Sequence, residues 1–304
     1  MKNKIKLLIA GGTGFIGYHL AKKAIKKGYT VTSLSSKKPK KYRRLTSLKY
    51  IICSTLNPKL LKKKLNHDFD IVINLSGYVN HREKKKTFSS HYMGCKNLAN
   101  VFLNRKIKSF IQVGSGMENG NTKSPQKEKI ICKPITNYAS AKYKASSYLL
   151  KLFKKKNFPI IILRLYQAYG PKQDFNRLIS TTISKSLNNE KIPCTTGNQK
   201  RDFLFIDDLT EIILKFANLK LTKERIFNIG TTQPIKIKNV IKMIVSIIGK
   251  GEPQYGKIKL KKGEILNMFP DTTKMKKILK WKPTVSLLKG LKITIRSYKN
   301  EIKQ

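Results

Sequence analysis

Tyr138 and Lys142 stand four residues apart in the run Asn137-Tyr138-Ala139-Ser140-Ala141-Lys142, which continues as YKASSYLLKLFKKK. On a helix that spacing puts a phenol and an ammonium on one face, about a turn apart. Pro134 and Thr136 suit a helix start, and the small Ala and Ser residues keep the face slim enough for something to lie against it. A phenol titrates near ~10, so at neutral pH it is a poor base. Lowering that value by ~3 units takes about 4 kcal/mol. An ammonium ~4 Å away supplies about 1 kcal/mol in open water, but about 4 at an effective dielectric of ~20. The pair works as a proton shuttle only where water is largely excluded. In so lysine-rich a chain the spacing alone is common helix surface; its neighbours give it meaning.

Those neighbours begin at the first strand. Lys4–Ala10 reads as a buried strand and runs directly into Gly11-Gly12-Thr13-Gly14-Phe15-Ile16-Gly17. Ile16, Leu20, Ala24 and Ile25 mark the inner face of the following helix, Lys22, Lys23, Lys26 and Lys27 its outer face, and Gly28 its end. Strand, glycine turn and helix are the setting a dinucleotide pyrophosphate requires. The glycines fit two registers, GxGxxG from Gly12 and GxxGxxG from Gly11. The second strand, Tyr29–Ser35, ends in Ser35-Ser36-Lys37-Lys38, with no acid to hold an adenosine ribose. Ser35 and Lys37 suit a 2′-phosphate, so NADP is expected, with NAD the alternative.

Further strands are expected at 48–53, 69–75 (ending at Leu75) and 109–114, with helices near 58–65 and 89–104. Alternating β and α with near-continuous apolar strands implies an α/β fold, a doubly wound parallel sheet covered on both faces. Ser115 follows the fifth strand, where ligand chemistry gathers in such folds. Glu118, three residues on, is a candidate helper at the same site.

Glycine turn, strand-end serine and Tyr-x-x-x-Lys helix, in that order, resemble the extended short-chain dehydrogenase/reductases, in the nucleotide-sugar epimerase, dehydratase and reductase branch. The resemblance continues through Arg164–Pro171 (RxxNxYGP), Gly197–Asp208 (GxGxxxRDFxxVxD), Phe227–Gly230, and the ending that runs from Gly263-Glu264 and Asp271–Lys274 to Leu279–Pro283. It implies a Rossmann-type domain over 1–170, with 201–232 returning to it, and a smaller, mostly helical substrate lobe from 171–200 and 233–304. Carried over residue by residue, it implies that Gly11, Gly14, Phe15, Ile16 and Gly17 cradle the pyrophosphate, with Leu75 and Ser54 also on the cofactor side. Lys142 would hold the nicotinamide ribose and activate Tyr138, and Ser115 would bond the reacting sugar oxygen. Arg201 would pair with a substrate diphosphate, in company with Gln167 and Lys261. Departures from the pattern are Gln167 for Asn, Lys261 for Arg, His91 for a structural Asn, and Ser54 for an adenine-contacting Asp.

The implied chemistry is oxidation or reduction at carbon 4 of a nucleoside-diphosphate hexose. The missing ribose acid tilts the expectation towards a 4-ketoreductase of a 4-keto-6-deoxy sugar nucleotide, with a 4-epimerase holding NAD tightly as the alternative. A 4,6-dehydratase ranks lower, because Gly116-Met117 stands where an Asp-Glu pair would be. Non-enzyme readings on the same fold are a cofactor sensor and an RNA-associated protein; a sensor would be expected to have lost Tyr138 or Lys142.

Composition bounds the rest. The 304 residues carry 65 Lys+Arg against 16 Asp+Glu, a net charge of +49. The lysines are spread in small clusters without a basic tail or interleaved aromatics, so the charge reads as compositional rather than as a nucleic-acid surface. No apolar run approaches membrane-spanning length, and the start is too short in apolar residues for a signal peptide. Cys53, Cys95, Cys132 and Cys194 show no paired spacing, and the histidines no ligand pattern, so neither disulfides nor a metal are expected. A cytoplasmic enzyme follows, and the family resemblance allows a homodimer.

Overall fold

The computed structural model describes residues 4–219, 224–260 and 263–302. In chain order the first elements are β1 (Lys6–Ala10), α1 (Phe15–Lys26), β2 (Thr30–Ser35), β3 (Lys49–Ile52), α2 (Pro58–Lys64) and β4 (Ile71–Asn74). There follow α3 (Lys84–Phe88), α4 (Gly94–Phe102), β5 (Ser109–Ser115), α5 (Asn137–Lys156) and β6 (Ile160–Leu165). The later part holds β7 (Gln167–Tyr169), α6 (Leu178–Leu187), β8 (Lys191–Pro193), β9 (Lys200–Arg201), β10 (Phe203–Phe205) and α7 (Ile206–Ala217). It ends with β11 (Ile226–Ile229), β12 (Ile235–Lys236), α8 (Ile237–Ile248), β13 (Glu252–Gln254), β14 (Asn267–Met268), α9 (Thr273–Leu279) and α10 (Leu287–Ile302).

The main sheet has seven strands in the order β11-β6-β5-β4-β1-β2-β3. β1 pairs in parallel with both β2 and β4, so the chain winds outward from β1 in two directions. The crevice that this reversal opens lies beyond the carboxyl ends of β1 and β4. The expected doubly wound sheet is therefore present, with its switch point at the glycine turn. Leu8, Leu34, Val72, Phe102, Phe110, Leu149 and Phe158 belong to one buried cluster. Each such side chain contributes roughly 1.5–3 kcal/mol.

Internal contacts divide the chain into two units: 1–120 with 131–165 and 210–227, and 121–130 with 166–209 and 228–304. In the first unit, α5 is capped at Thr136, whose Oγ1 accepts the Ala139 N–H at 3.2 Å, and ends at Asn157 in the left-handed conformation. Lys154–Lys156 in its last turn suit the negative end of the helix dipole. Its buried face is Ala139, Ala141, Lys142, Ala145, Ser146 and Leu149, and the three alanines and the serine let the helix approach β5 closely. In the second unit, α6, α8 and α10 pack together through Ile179, Ile183, Val240, Ile244, Leu291 and Ile295.

One helix differs from expectation. The segment foreseen as 89–104 starts at Lys84 and passes through a π-helical turn, Ser89–Met93, before continuing as α4. Lys84–Lys86 carry no apolar period, which hid the start. The wide turn carries the buried His91, and such turns are frequent at functional sites.

At Gly17 an added Cβ would lie 2.3 Å from the Gly11 carbonyl oxygen and 2.6 Å from the Gly12 Cα. Backbone cannot swing aside as a side-chain end can. Gly17→Ala is expected to cost about 1–3 kcal/mol in urea denaturation and to weaken dinucleotide binding in calorimetry.

Candidate active site

The glycine turn is built by close approach. Gly11 has φ 83° and donates its N–H to the Leu34 carbonyl at 2.7 Å. Its missing Cβ would sit 2.8 Å from the Leu75 carbonyl carbon, so turn and β4 end touch backbone to backbone. A Cβ on Gly12 would lie 2.3 Å from the Ser33 Oγ. Gly14 caps α1 without a side-chain bond, and no acid stands in the first turn, where Phe15, Ile16 and Gly17 follow. An uncapped helix N-terminus above a cradle that side chains would fill fits a pyrophosphate. Ser35 is buried and its Oγ accepts the Thr13 N–H at 3.2 Å, bracing the turn, whereas Lys37 is exposed. Ser54 is half-buried just beyond β3, and its Oγ accepts the Leu56 N–H at 3.2 Å.

At the end of β5 the expected chemistry gathers. Lys142 is 5% exposed and its Nζ donates to the Val113 carbonyl at 2.7 Å. The same Nζ lies 5.9 Å from the centroid of the half-buried Tyr138 ring. Ser115 stands two residues beyond Val113, 6% exposed, its Oγ accepting the Met117 N–H at 3.2 Å. That bond leaves the hydroxyl proton available for donation.

Glu118 is fully buried. Its Oε1 accepts the Ser115 N–H at 2.8 Å, closing a capping box, and its Oε2 lies 3.4 Å from the Arg164 Nε. Arg164, 3% exposed, also donates to the Cys132 Sγ at 3.1 Å. A Cβ on Gly114 would meet the Glu118 Oε1 at 2.5 Å. The carboxylate is thus committed to protein partners and fixes the strand-end turn that carries Ser115.

Two of the four histidines also converge here, which their spacing did not reveal. The His81 ring stacks on Tyr138 at 4.1 Å and 16°, and the His91 ring meets Tyr138 edge-on at 5.0 Å and 82°. The His91 Nε2–H donates to the Tyr78 carbonyl at 3.2 Å, which leaves Nδ1 as a buried acceptor without a hydrogen bond. Burial, helped by the Lys142 ammonium, pushes the His91 imidazole down to about 2. A Cβ on Gly77 would fall 1.9 Å from the His91 ring, so only glycine fits there. The one sequence signal was His91 itself, standing where the family pattern has Asn.

Gln167 and Arg201 belong to the second unit, on β7 and β9. Arg201 donates to the Lys200 and Leu266 carbonyls at 2.9 and 3.1 Å and pairs with Glu264 at 3.0 Å. Burial lowers its guanidinium from the ordinary value, against the opposing pull of Glu264. Lys261 lies outside the described residues. Among the described residues no helix is long and apolar enough to cross a membrane, and no cluster of His, Cys, Asp or Glu is arranged to hold a metal.

The family model described as NAD dependent epimerase/dehydratase family matches residues 7–230. The dTDP-D-glucose 4,6-dehydratase of Dictyostelium discoideum is 31% identical over 80% of this chain, which spans 62% of that protein's length. The UDP-glucose 4-epimerase of Thermotoga maritima, solved with UDP-glucose, is 26% identical with a TM-score of 0.92, over 98% of this chain and 100% of that one. The UDP-glucuronic acid 4-epimerase of Bacillus cereus, solved with UDP-glucuronic acid and NAD, is 25% identical with a TM-score of 0.88, over 98% and 100%.

Two stability outcomes follow from the buried charges. Arg164→Met strands the Glu118 carboxylate and is expected to cost about 3–5 kcal/mol in urea denaturation, largely recovered by adding Glu118→Gln. For His91, the unfolded chain takes up a proton below its ordinary ~6.5 that the folded chain refuses down to about 2. Stability therefore falls as pH drops below ~6.5, by up to about 1.4 kcal/mol per unit. His91→Gln keeps a donor for Tyr78 and loses no comparable stability between pH 7 and 5; equal losses in both proteins would contradict the burial account.

Proposed function

The chain belongs to the NAD dependent epimerase/dehydratase family, an extended short-chain dehydrogenase/reductase and hence an enzyme, and we propose that it oxidises and re-reduces carbon 4 of a nucleoside-diphosphate hexose, acting as a 4-epimerase. The observation that carries this reading is the buried Lys142 ammonium, bonded to β5 two residues before Ser115 and lying against Tyr138. Epimerisation takes first place, ahead of the ketoreductase favoured by sequence, because two similar solved proteins covered along their whole length are 4-epimerases.

Gly11, Gly14, Phe15, Ile16 and Gly17 would hold the dinucleotide phosphates, and Lys142 its nicotinamide ribose. The bound nicotinamide supplies the redox partner for carbon 4. Tyr138, as tyrosinate, takes the proton of the 4-hydroxyl during oxidation and returns one to the ketone oxygen during reduction. Ser115 donates its hydroxyl proton to that same oxygen and fixes its position. Lys142, one turn along the same helix, would favour the charged form of Tyr138 where a bound dinucleotide excludes water from between them. Arg201, with Gln167 and Lys261, would anchor the diphosphate, so that remote binding energy serves alignment at the sugar. Glu118 acts through Ser115, as a brace for the turn.

The second reading is the 4-ketoreductase using NADPH. It is favoured by one observation: β2 ends at Ser35 and is followed by exposed Ser36, Lys37 and Lys38, with no acid for an adenosine ribose. A dehydratase outcome lacks support in the residues, because Gly116-Met117 offers no acid pair beside Ser115.

Nuclear magnetic resonance of UDP-glucose, UDP-galactose and the UDP-hexuronates incubated with the protein and NAD tests the assignment. Interconversion at carbon 4 with no net change in NADH is expected. Steady NADPH consumption by a 4-keto-6-deoxy sugar nucleotide, without interconversion, would transfer the assignment to the reductase. Tyr138→Phe is expected to bind dinucleotide as before while turnover falls by about 10²–10⁴. Surviving turnover in that variant would remove the tyrosine from the mechanism.

A further inference from the structure

We propose that His81 is a positioning residue for the Tyr138–Lys142 pair: its imidazole is a wall laid flat on the phenol ring that keeps water from the space in which the ammonium acts. The inference rests on the proton-shuttle reading of Tyr138.

The geometry assigns His81 a covering role rather than an acid–base one. Its ring lies 16° from parallel to the Tyr138 ring at a centroid separation of 4.1 Å. A heterocycle stacked in that way keeps both nitrogens in its own plane, so the contact is one of area and dispersion rather than of a shared proton. His91 meets the same ring edge-on at 5.0 Å, and the two imidazoles lie 5.9 Å apart at 70°. Tyr138 is thus flanked by one imidazole on a face and a second beside it. Lys142 is 5% exposed whereas Tyr138 is only half-buried, so water reaches the pair from the phenol side.

The loop that carries His81 is tied at both ends. Its first residue, Tyr78, donates its N–H to the Ser90 Oγ at 2.9 Å, and its carbonyl accepts the His91 Nε2–H. The Tyr78 hydroxyl donates to the Glu83 carboxylate, and the Glu83 N–H donates to the Asn80 carbonyl at 3.2 Å. The wall is therefore held against the phenol. Lys142 and Tyr138 stand around the stack on α5, His91 on the π-helical turn, and Tyr78, Arg82, Glu83 and Lys86 on or beside the loop itself. With Lys142 beside it and His91 neutral, what the phenol needs is cover, and the His81 ring supplies it on one face. The attraction between an ammonium and a phenolate is about fourfold weaker in bulk water than at an effective dielectric of ~20.

The test compares kcat/KM against pH for the native protein, His81→Ala and His81→Phe, with the sugar nucleotide the enzyme turns over and saturating dinucleotide. His81→Ala is expected to move the rising limb upward by about one pH unit, about tenfold lower at pH 7, with dinucleotide affinity unchanged. His81→Phe, which restores a flat ring without a titrating group, is expected to bring the limb back to within a few tenths of a unit. A His81→Ala limb at the native pH overturns the wall, and so does a His81→Phe limb as displaced as that of His81→Ala. Tyr138→Phe is run in parallel. Its survival would overturn the shuttle reading, whereas a dead Tyr138→Phe beside an unmoved His81→Ala would overturn the wall alone.

Discussion

The hydrogen bond from the Lys142 Nζ to the Val113 carbonyl, 2.7 Å long, fixes most of what the site can do. An ammonium 5% exposed is costly unless its donors are engaged, and here a strand carbonyl engages one. The bond ties the middle of the buried face of α5 to the last residues of β5. It carries Tyr138 one turn earlier on a helix that packs on β5 and on the turn after Ser115. Replacing the small residues Ala139, Ala141 and Ala145 with larger ones would lift the helix and break that register.

The same economy of space governs the turn after β1, at the same carboxyl edge of the sheet. Gly11, Gly12 and Gly17 are held where any Cβ would meet neighbouring atoms at 2.3–2.8 Å, so β1, α1 and the end of β4 share one tight corner. That corner leaves the first turn of α1 uncapped by any side chain, an electropositive end in a chain already charged +49. At the β5 end the opposite solution is used: Glu118 and Arg164 neutralise each other in the interior and hold the backbone of Ser115. Two buried charges thus serve one turn, and neither is free for a ligand.

The elements were legible because they are local. Apolar strands flanked by glycine and lysine, the Thr136 cap and the Tyr-x-x-x-Lys spacing all announce themselves within a few residues, and β1–β5 fall within about two residues of their expected ends. The partnerships were not legible, because they cross long stretches of chain. Glu118 looked like a substrate-side helper from its distance to Ser115, yet its carboxylate is taken by Arg164, 46 residues away. Ser35 read as a phosphate ligand, and its bracing of the Thr13 N–H across 22 residues was not visible in the sequence. The convergence on Tyr138 joins His81 from a loop with His91 from a π-helical turn that apolar spacing does not encode. Glu264, 63 residues from Arg201, is likewise invisible as its partner until the chain is folded.

The central claim is that the Lys142 charge, acting through a water-poor space, makes the phenol a working base. At ~4 Å such a charge is worth about 4 kcal/mol at an effective dielectric of ~20, but about 1 kcal/mol in water. Lys142→Met retains the bulk and removes the charge, so the most direct measurement is its kcat/KM across pH 6–10 against the native enzyme. The account predicts a loss of about two orders of magnitude at pH 7 that shrinks as pH rises. A Lys142→Met enzyme with the native rate at pH 7, or with a deficit constant across the range, would contradict it.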